Sequence, residues 1–194
     1  MVRQAHHTGM MRTKDLLFGI YLGFLYKMEW RETMKIINAM AMWMKGVSLS
    51  EFEQLADEVV KDYLIPEIRP ELIDEIALHR ANGAKNVMLS AAMAQVCYPI
   101  SDHLNLDDVI CSHFEVKDGR FTGRPIGRLN FASEKFVSLE KYYTRFPSKI
   151  ENDYYYADSI SDVSVLDKIG NPVCVDPDRQ LARLSRKKGW RIIP

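Results

Sequence analysis

From Lys85 to the C-terminus, short apolar runs alternate with amphipathic segments, and this alternation constrains the fold more than any other feature of the chain. KNVMLS, YYYADS, NPVCVDP and WRII read as strands; residues 93–104, SEKFVSLEKYYTRF, VSVLDKIG and DRQLARLSRKKG read as helices. Strands that recur with a helix between them pair in parallel, because only a crossover helix returns the chain in the same direction. One segment breaks the rhythm. DDVICSHFEVKDGRFTGRPIG alternates around Asp118-Gly119, the strongest hairpin signal in the chain.

Ahead of Lys85 the periodicity is helical. LLFGIYLGFLYKM and RETMKIINAMAMWMKG place apolar residues at three- and four-residue spacings and leave little face for water. The Met-rich stripe suits core packing, or else the lining of an apolar pocket. A third helix opens at Ser48-Leu49-Ser50-Glu51, where Ser48 and Glu51 can satisfy each other's backbone amides. A fourth runs from Pro70 to Gly83, with proline in its first turn and glycine past its end. The pattern predicts a helical module over 1–70 and an α/β core over 71–194.

Charge and composition exclude several roles. Lys plus Arg and Asp plus Glu each number 26, so no net field draws the chain to nucleic acid or an anionic membrane. The basic run from Arg183 to Lys188 falls late in a predicted helix, where the helix dipole favours cations. The apolar run from Leu16 to Tyr26 is too short to span a bilayer and has no basic stretch before it. Cys97, Cys111 and Cys174 are widely spaced with no CxxC pair, which points to neither a disulfide framework nor a zinc site and fits a cytoplasmic setting.

The chemistry collects at strand ends. Ser90 is expected to close one strand, and Asp158 and Ser159 another, with Asp162 opening the following helix and Lys135 beginning the helix before it. Ligands of open parallel sheets bind at the carboxyl ends of strands, so these residues can converge. A hydroxyl, an ammonium and two carboxylates suit a phosphate held with Mg²⁺, a hard ion that takes oxygen ligands. Each also has a plainer reading: Ser90 as a cap, Lys135 as a surface lysine, Asp158 or Asp162 as a cap on the next helix. His6 and His7 are a further candidate pair for a transition metal or a base, weakened because adjacent side chains point apart.

Through VMLSAA, the lysine of ASEKFVSLEKY, VKDGRFTGRPIG, and YADSISDVSVLDKIGNPVCVDPDRQLARLSRKKGW, the chain resembles the haloacid dehalogenase (HAD) superfamily, in its phosphoserine-phosphatase-like branch. The resemblance runs from about residue 71 to the end, and the helical first third resembles that branch's C1-type cap more loosely. It implies a Rossmann-like α/β core and a Mg²⁺-dependent phosphomonoester hydrolase working through an aspartyl-phosphate. Ser90, Ala91 and Lys135 would then hold the phosphate, Ser90 and Lys135 in catalytic roles. Asp158 would ligate Mg²⁺ and Asp162 would support it as the second metal-site carboxylate. The implied partner is a small-molecule phosphate ester. An apolar cap, with Arg31 and Lys45 among its few charges, favours a larger or more apolar ester over phosphoserine.

The family's first motif, DxDx(T/V), supplies the nucleophile and the general acid, and no DxD precedes residue 160. MVRQAHHTG reads like the sequel to that motif, so the expectation is a chain that starts one strand late, at an internal methionine. The absent strand would lie between those bearing Ser90 and Asp158, its loss would leave two unpaired ladder edges, and the chain alone would have little or no activity. The alternatives are a non-catalytic phosphate-ester-binding or regulatory remnant, and a phosphotransferase using the same aspartyl-phosphate.

Overall fold

The computed structural model describes residues 42–194, so the first two predicted helices up to residue 41, with His6, His7 and Arg31, lie outside the described residues. The fold is α/β, with a parallel sheet and flanking helices, in two compact units. The first unit holds residues up to Met88 and Ala92–Arg128; the second holds Leu89–Ala91 and Leu129–Pro194.

The first unit is built around helix α1 (Leu49–Val59), capped by Ser48, whose Oγ accepts the Glu51 N–H at 3.5 Å. Phe52, Leu55, Ala56 and Val59 recur at three- and four-residue spacing, and all four are buried. Phe52 meets Phe121 edge to face, with ring centroids 5.3 Å apart, in a cluster with Met44 and Ala56. Phe121 comes from the predicted hairpin, β3 (Phe114–Lys117) and β4 (Arg120–Pro125), antiparallel with Lys117 opposite Arg120. Its two turn residues, Asp118 and Gly119, have φ of 50° and 72°, the left-handed pair that a two-residue hairpin of this twist requires.

One expectation is corrected in this unit. The helix expected to run to Gly46 appears, over its described end, as a single 3₁₀ turn, Met42–Met44. Its backbone is claimed by the hairpin instead: Gly46 N–H donates to Phe121 O at 2.8 Å, and Phe121 N–H donates to Val47 O at 3.0 Å. Helix α1 also continues past its regular end as a π-turn over Val60–Leu64. Helix α2 (Pro70–Ala81) follows the predicted boundaries. Its Arg80 donates to Leu104 O and Asn105 O at 3.2 and 2.6 Å, filling carbonyls at the end of α3 (Ala94–Leu104). Strand β1 (Val87–Met93) pairs with β2 (Asp108–Ser112) in a two-stranded sheet.

The second unit carries the parallel sheet β5 (Tyr154–Ala157), β6 (Asn171–Val175) and β7 (Arg191–Ile193), in that order. Tyr154 pairs with Asn171 and Ala157 with Cys174, so β5 and β6 end together, and Asp158 emerges at their carboxyl edge. Between β5 and β6 lie a 3₁₀ turn, Ile160–Asp162, and the short helix α5 (Val163–Leu166). Helix α4 (Ser133–Arg145) precedes β5, and α6 (Arg179–Lys188) joins β6 to β7. Ala157, Leu166, Cys174 and Leu181 form the core of this unit. Leu181 is fully buried, and burying a side chain of that size contributes about 1.5–3 kcal/mol. The basic residues Arg186, Lys187 and Lys188 fall in the last turn of α6, as the dipole argument expects.

Candidate phosphate and metal site

Lys135 sits in the first turn of α4, yet both it and Asp162 are buried, at 8% and 5% exposure. Its Nζ lies 2.7 Å from Asp162 Oδ1 and 2.8 Å from Oδ2, so one ammonium bridges both carboxylate oxygens. Tyr155, on β5, donates its hydroxyl to Asp162 Oδ2 at 3.2 Å and accepts from Lys135 Nζ at 3.4 Å. Desolvation first, then the negative charge of Asp162 and its hydrogen bond, then Asp158, push the Tyr155 pKa well up. The phenol is therefore a permanent donor. The pair and the phenol make a closed polar cluster, which is the condition under which a buried lysine and aspartate are tolerated. The surface-lysine reading of Lys135 is thereby set aside.

Asp158 differs from Asp162: it is exposed, one residue beyond the end of β5. Ser159 turns the chain after it, accepting Ser161 N–H at 3.3 Å and Ser161 Oγ–H at 3.1 Å. Ser161 Oγ also reaches Asp162 Oδ1 at 3.4 Å. The turn thus sends one carboxylate inward to the lysine and leaves the other facing solvent.

Ser90 does not end its strand. β1 continues through Ala91 and Ala92 to Met93, because these residues carry no turn chemistry and β2 lies alongside. Ser90 is half-buried and Ala91 exposed, and both belong to the second unit with the lysine and the aspartates. The backbone of Ser90 is held by buried Asn130, whose Nδ2 donates to Ser90 O at 2.7 Å. Asn130 lies just ahead of α4, whose entry is fixed in turn by Ser164 Oγ donating to Ala132 O at 2.9 Å. Direct contact joins Lys135 and Asp162; Ser90 is connected to the α4 entry through Asn130.

Tyr155, Asn130 and Asp178 escaped the sequence reading. Tyr155 lies three residues before Asp158 in an aromatic run that reads as strand core. Asp178 reads as a plain helix cap, and Asn130 carries no local pattern at all.

A hard divalent cation needs several oxygen ligands that converge on one point. Among the described residues no group of three or more His, Cys, Asp or Glu side chains converges as a ready-made cage. Two carboxylates at a strand end nonetheless match the way Mg²⁺ is held, by one or two carboxylates with water and substrate phosphate completing the shell. The exposed oxygens of Asp158 suit the ligand role. Those of Asp162 are engaged by Lys135 and Tyr155, which suits a supporting role.

The family model for haloacid dehalogenase-like hydrolases matches residues 3–167. The chain is 25% identical over 150 residues to a histidinol-phosphatase of Neisseria meningitidis, an alignment covering 75% of this chain and 68% of that one. It is likewise 25% identical over 150 residues to a phosphoserine phosphatase of Mycobacterium tuberculosis, covering 77% of this chain and 49% of the relative. The chain thus spans about half to two-thirds of the length of these curated relatives. Its fold matches the unliganded crystal structure of a probable phosphoserine phosphatase from Vibrio cholerae with a TM-score of 0.71, at 16% identity, over 94% of this chain and 53% of that one. On the family model, the fold and the motif residues together, this chain belongs to the haloacid dehalogenase-like hydrolase family.

Proposed function

We propose that these residues form the phosphate- and metal-holding part of a phosphomonoester hydrolase. The observation that carries this reading is the buried Lys135–Asp162–Tyr155 cluster, set beside exposed Asp158 at the end of a parallel strand. Such a cluster fixes a positive charge where a phosphoryl group gains negative charge, the main device by which proteins catalyse its transfer. Asp158 would hold Mg²⁺, with Asp162 supporting; when bound, the ion would neutralise phosphoryl oxygens. Lys135 stays aimed by its bridge to Asp162. Ser90 and Ala91 would offer the phosphate a hydroxyl and a backbone amide. Phosphatase names among the relatives support this class of reaction. The substrate is a small phosphate ester in a cytoplasmic setting, with the helical region 1–70 as cap over a core of 71–194.

The nucleophile and general acid of the family's reaction would come from a DxDx(T/V) segment, and no DxD precedes residue 160. The 194 residues alone are therefore expected to release little or no phosphate. The test is phosphate release from a panel of phosphomonoesters with Mg²⁺, by this chain and by the chain extended at its N-terminus with a strand ending in DxDxT. Turnover by the extended chain, lost in Asp158→Asn, is the expected result. Binding of esters by the extended chain without turnover would instead establish the phosphate-binding remnant. Release by the 194 residues themselves, abolished in Asp158→Asn, would overturn the expected inactivity.

A further inference from the structure

Asp178 stands outside the cluster just described, yet more hydrogen bonds converge on it than a helix cap needs. It is the N-cap of α6: Oδ1 accepts Gln180 N–H at 3.0 Å and Leu181 N–H at 2.8 Å. Those two bonds complete an ordinary cap. Its other oxygen, Oδ2, reaches back across the sheet end to accept Ile160 N–H at 2.7 Å. Its backbone N–H donates to Asp158 O at 2.7 Å. Ser159 adds a side-chain hydrogen bond to the same carboxylate. One residue thereby grips the backbone at Asp158 and Ile160 and the side chain of Ser159 between them.

These bonds come from a different strand connection. Asp178 follows β6, whereas Asp158 follows β5, and the two strands end in register with Ala157 opposite Cys174. Apart from this clasp, the loop after Asp158 is shaped by local bonds, those between Ser159 and Ser161 and that of Asp162 N–H to Ser159 O at 3.0 Å. Burial alone would raise the Asp178 pKa, but the Leu181 and Ile160 amides, Ser159 and the Gln180 amide outweigh it, and the pKa is lowered.

We propose that Asp178 is a positioning residue for the metal site: by clasping the Asp158–Ile160 loop to the start of α6, it aims Asp158 at the cation. The inference rests on the assignment of Asp158 as the metal-holding carboxylate. Mutating a group that orients a ligand from behind typically costs about 10–100-fold in metal affinity. Asp178→Asn separates the two functions of the side chain. Its amide oxygen still caps α6, while its NH₂ takes the place of Oδ2 and faces the Ile160 N–H, donor against donor.

The experiment is Mn²⁺ binding to the 194-residue chain, followed by the electron paramagnetic resonance of the free ion, with thermal unfolding and amide exchange at Ile160 measured alongside. Asp178→Asn is expected to weaken Mn²⁺ binding about 10-fold and to speed exchange at Ile160. Asp178→Ser, which caps the helix but is too short to reach Ile160, is expected to do the same, and serves if the asparagine variant fails to fold. Arg183→Gly, which loosens the exposed face of α6 away from the loop, is expected to leave Mn²⁺ affinity unchanged; a matching loss there would make Asp178 a merely structural cap and overturn the inference. Binding in Asp178→Asn as tight as wild type, while Asp158→Asn loses it, overturns the inference alone. A wild-type chain without Mn²⁺ affinity, or Asp158→Asn binding like wild type, overturns the metal assignment of Asp158 and the inference with it.

Discussion

Lys135 and Asp162 are 27 residues apart in sequence, and each is more than nine-tenths buried. Removing one member of such a pair strands the other charge in a low-dielectric site, which costs about 3–5 kcal/mol. Lys135→Met and Asp162→Asn are each expected to destabilise the chain by an amount of that order. The double variant is expected to cost much less than their sum, because neither charge is left alone. Chemical denaturation of the wild type, the two single variants and the double variant measures this; additive losses would mean that the pair is not coupled. The residue types at Ser90, Lys135, Asp158 and Asp162 were legible from pattern and resemblance. The pairing was not, since which carboxylate turns inward depends on the Ser159 turn and on the Tyr155 hydroxyl.

At the level of elements, helix α4 begins from an unusual backbone. Ala132, its N-cap, has φ 49° and ψ −123°, a region that glycine enters freely and alanine does not. Strain of this kind costs on the order of 1–3 kcal/mol and persists where surrounding contacts over-determine it. Here the Ala132 carbonyl is held by Ser164, and the helix it caps starts two residues before the buried lysine. Ala132→Gly is therefore expected to raise stability by about 1 kcal/mol, seen as a higher unfolding midpoint. A lower midpoint would show that the strain is not there. The strands and helices themselves were readable from periodicity and capping, from the hairpin at Asp118-Gly119 to the proline-led α2. The 3₁₀ turn at Met42–Met44 and the extension of β1 past Ser90 were not readable. In both places long-range backbone partners, β4 and β2, override the local pattern.

Across the whole molecule, Trp43 packs on the Phe52 cluster of the first unit and Trp190 on the Leu181 core of the second. The proposed cation and phosphate site belongs to the second unit. A ligand that binds only the folded state stabilises it by about 2.7 kcal/mol at a hundred times its Kd. In a variant with Trp30→Phe and Trp43→Phe, Mg²⁺ with inorganic phosphate is expected to raise the denaturation midpoint reported by Trp190. An unchanged Trp190 midpoint at saturating ligand would count against a site in this unit.

By itself the sequence determined the class of architecture, the order of strands and helices after Lys85, and the family, because periodicity, caps and the DSISD motif are local properties of a chain. It also supplied the residue types that a phosphate and a hard cation need. Tertiary structure alone decided that Lys135 is buried against Asp162 while Asp158 stays exposed, and that Asp178, from the neighbouring strand, clasps the loop carrying Asp158. Burial and hydrogen-bond direction are settled by which segments meet in space. No spacing along the chain encodes them.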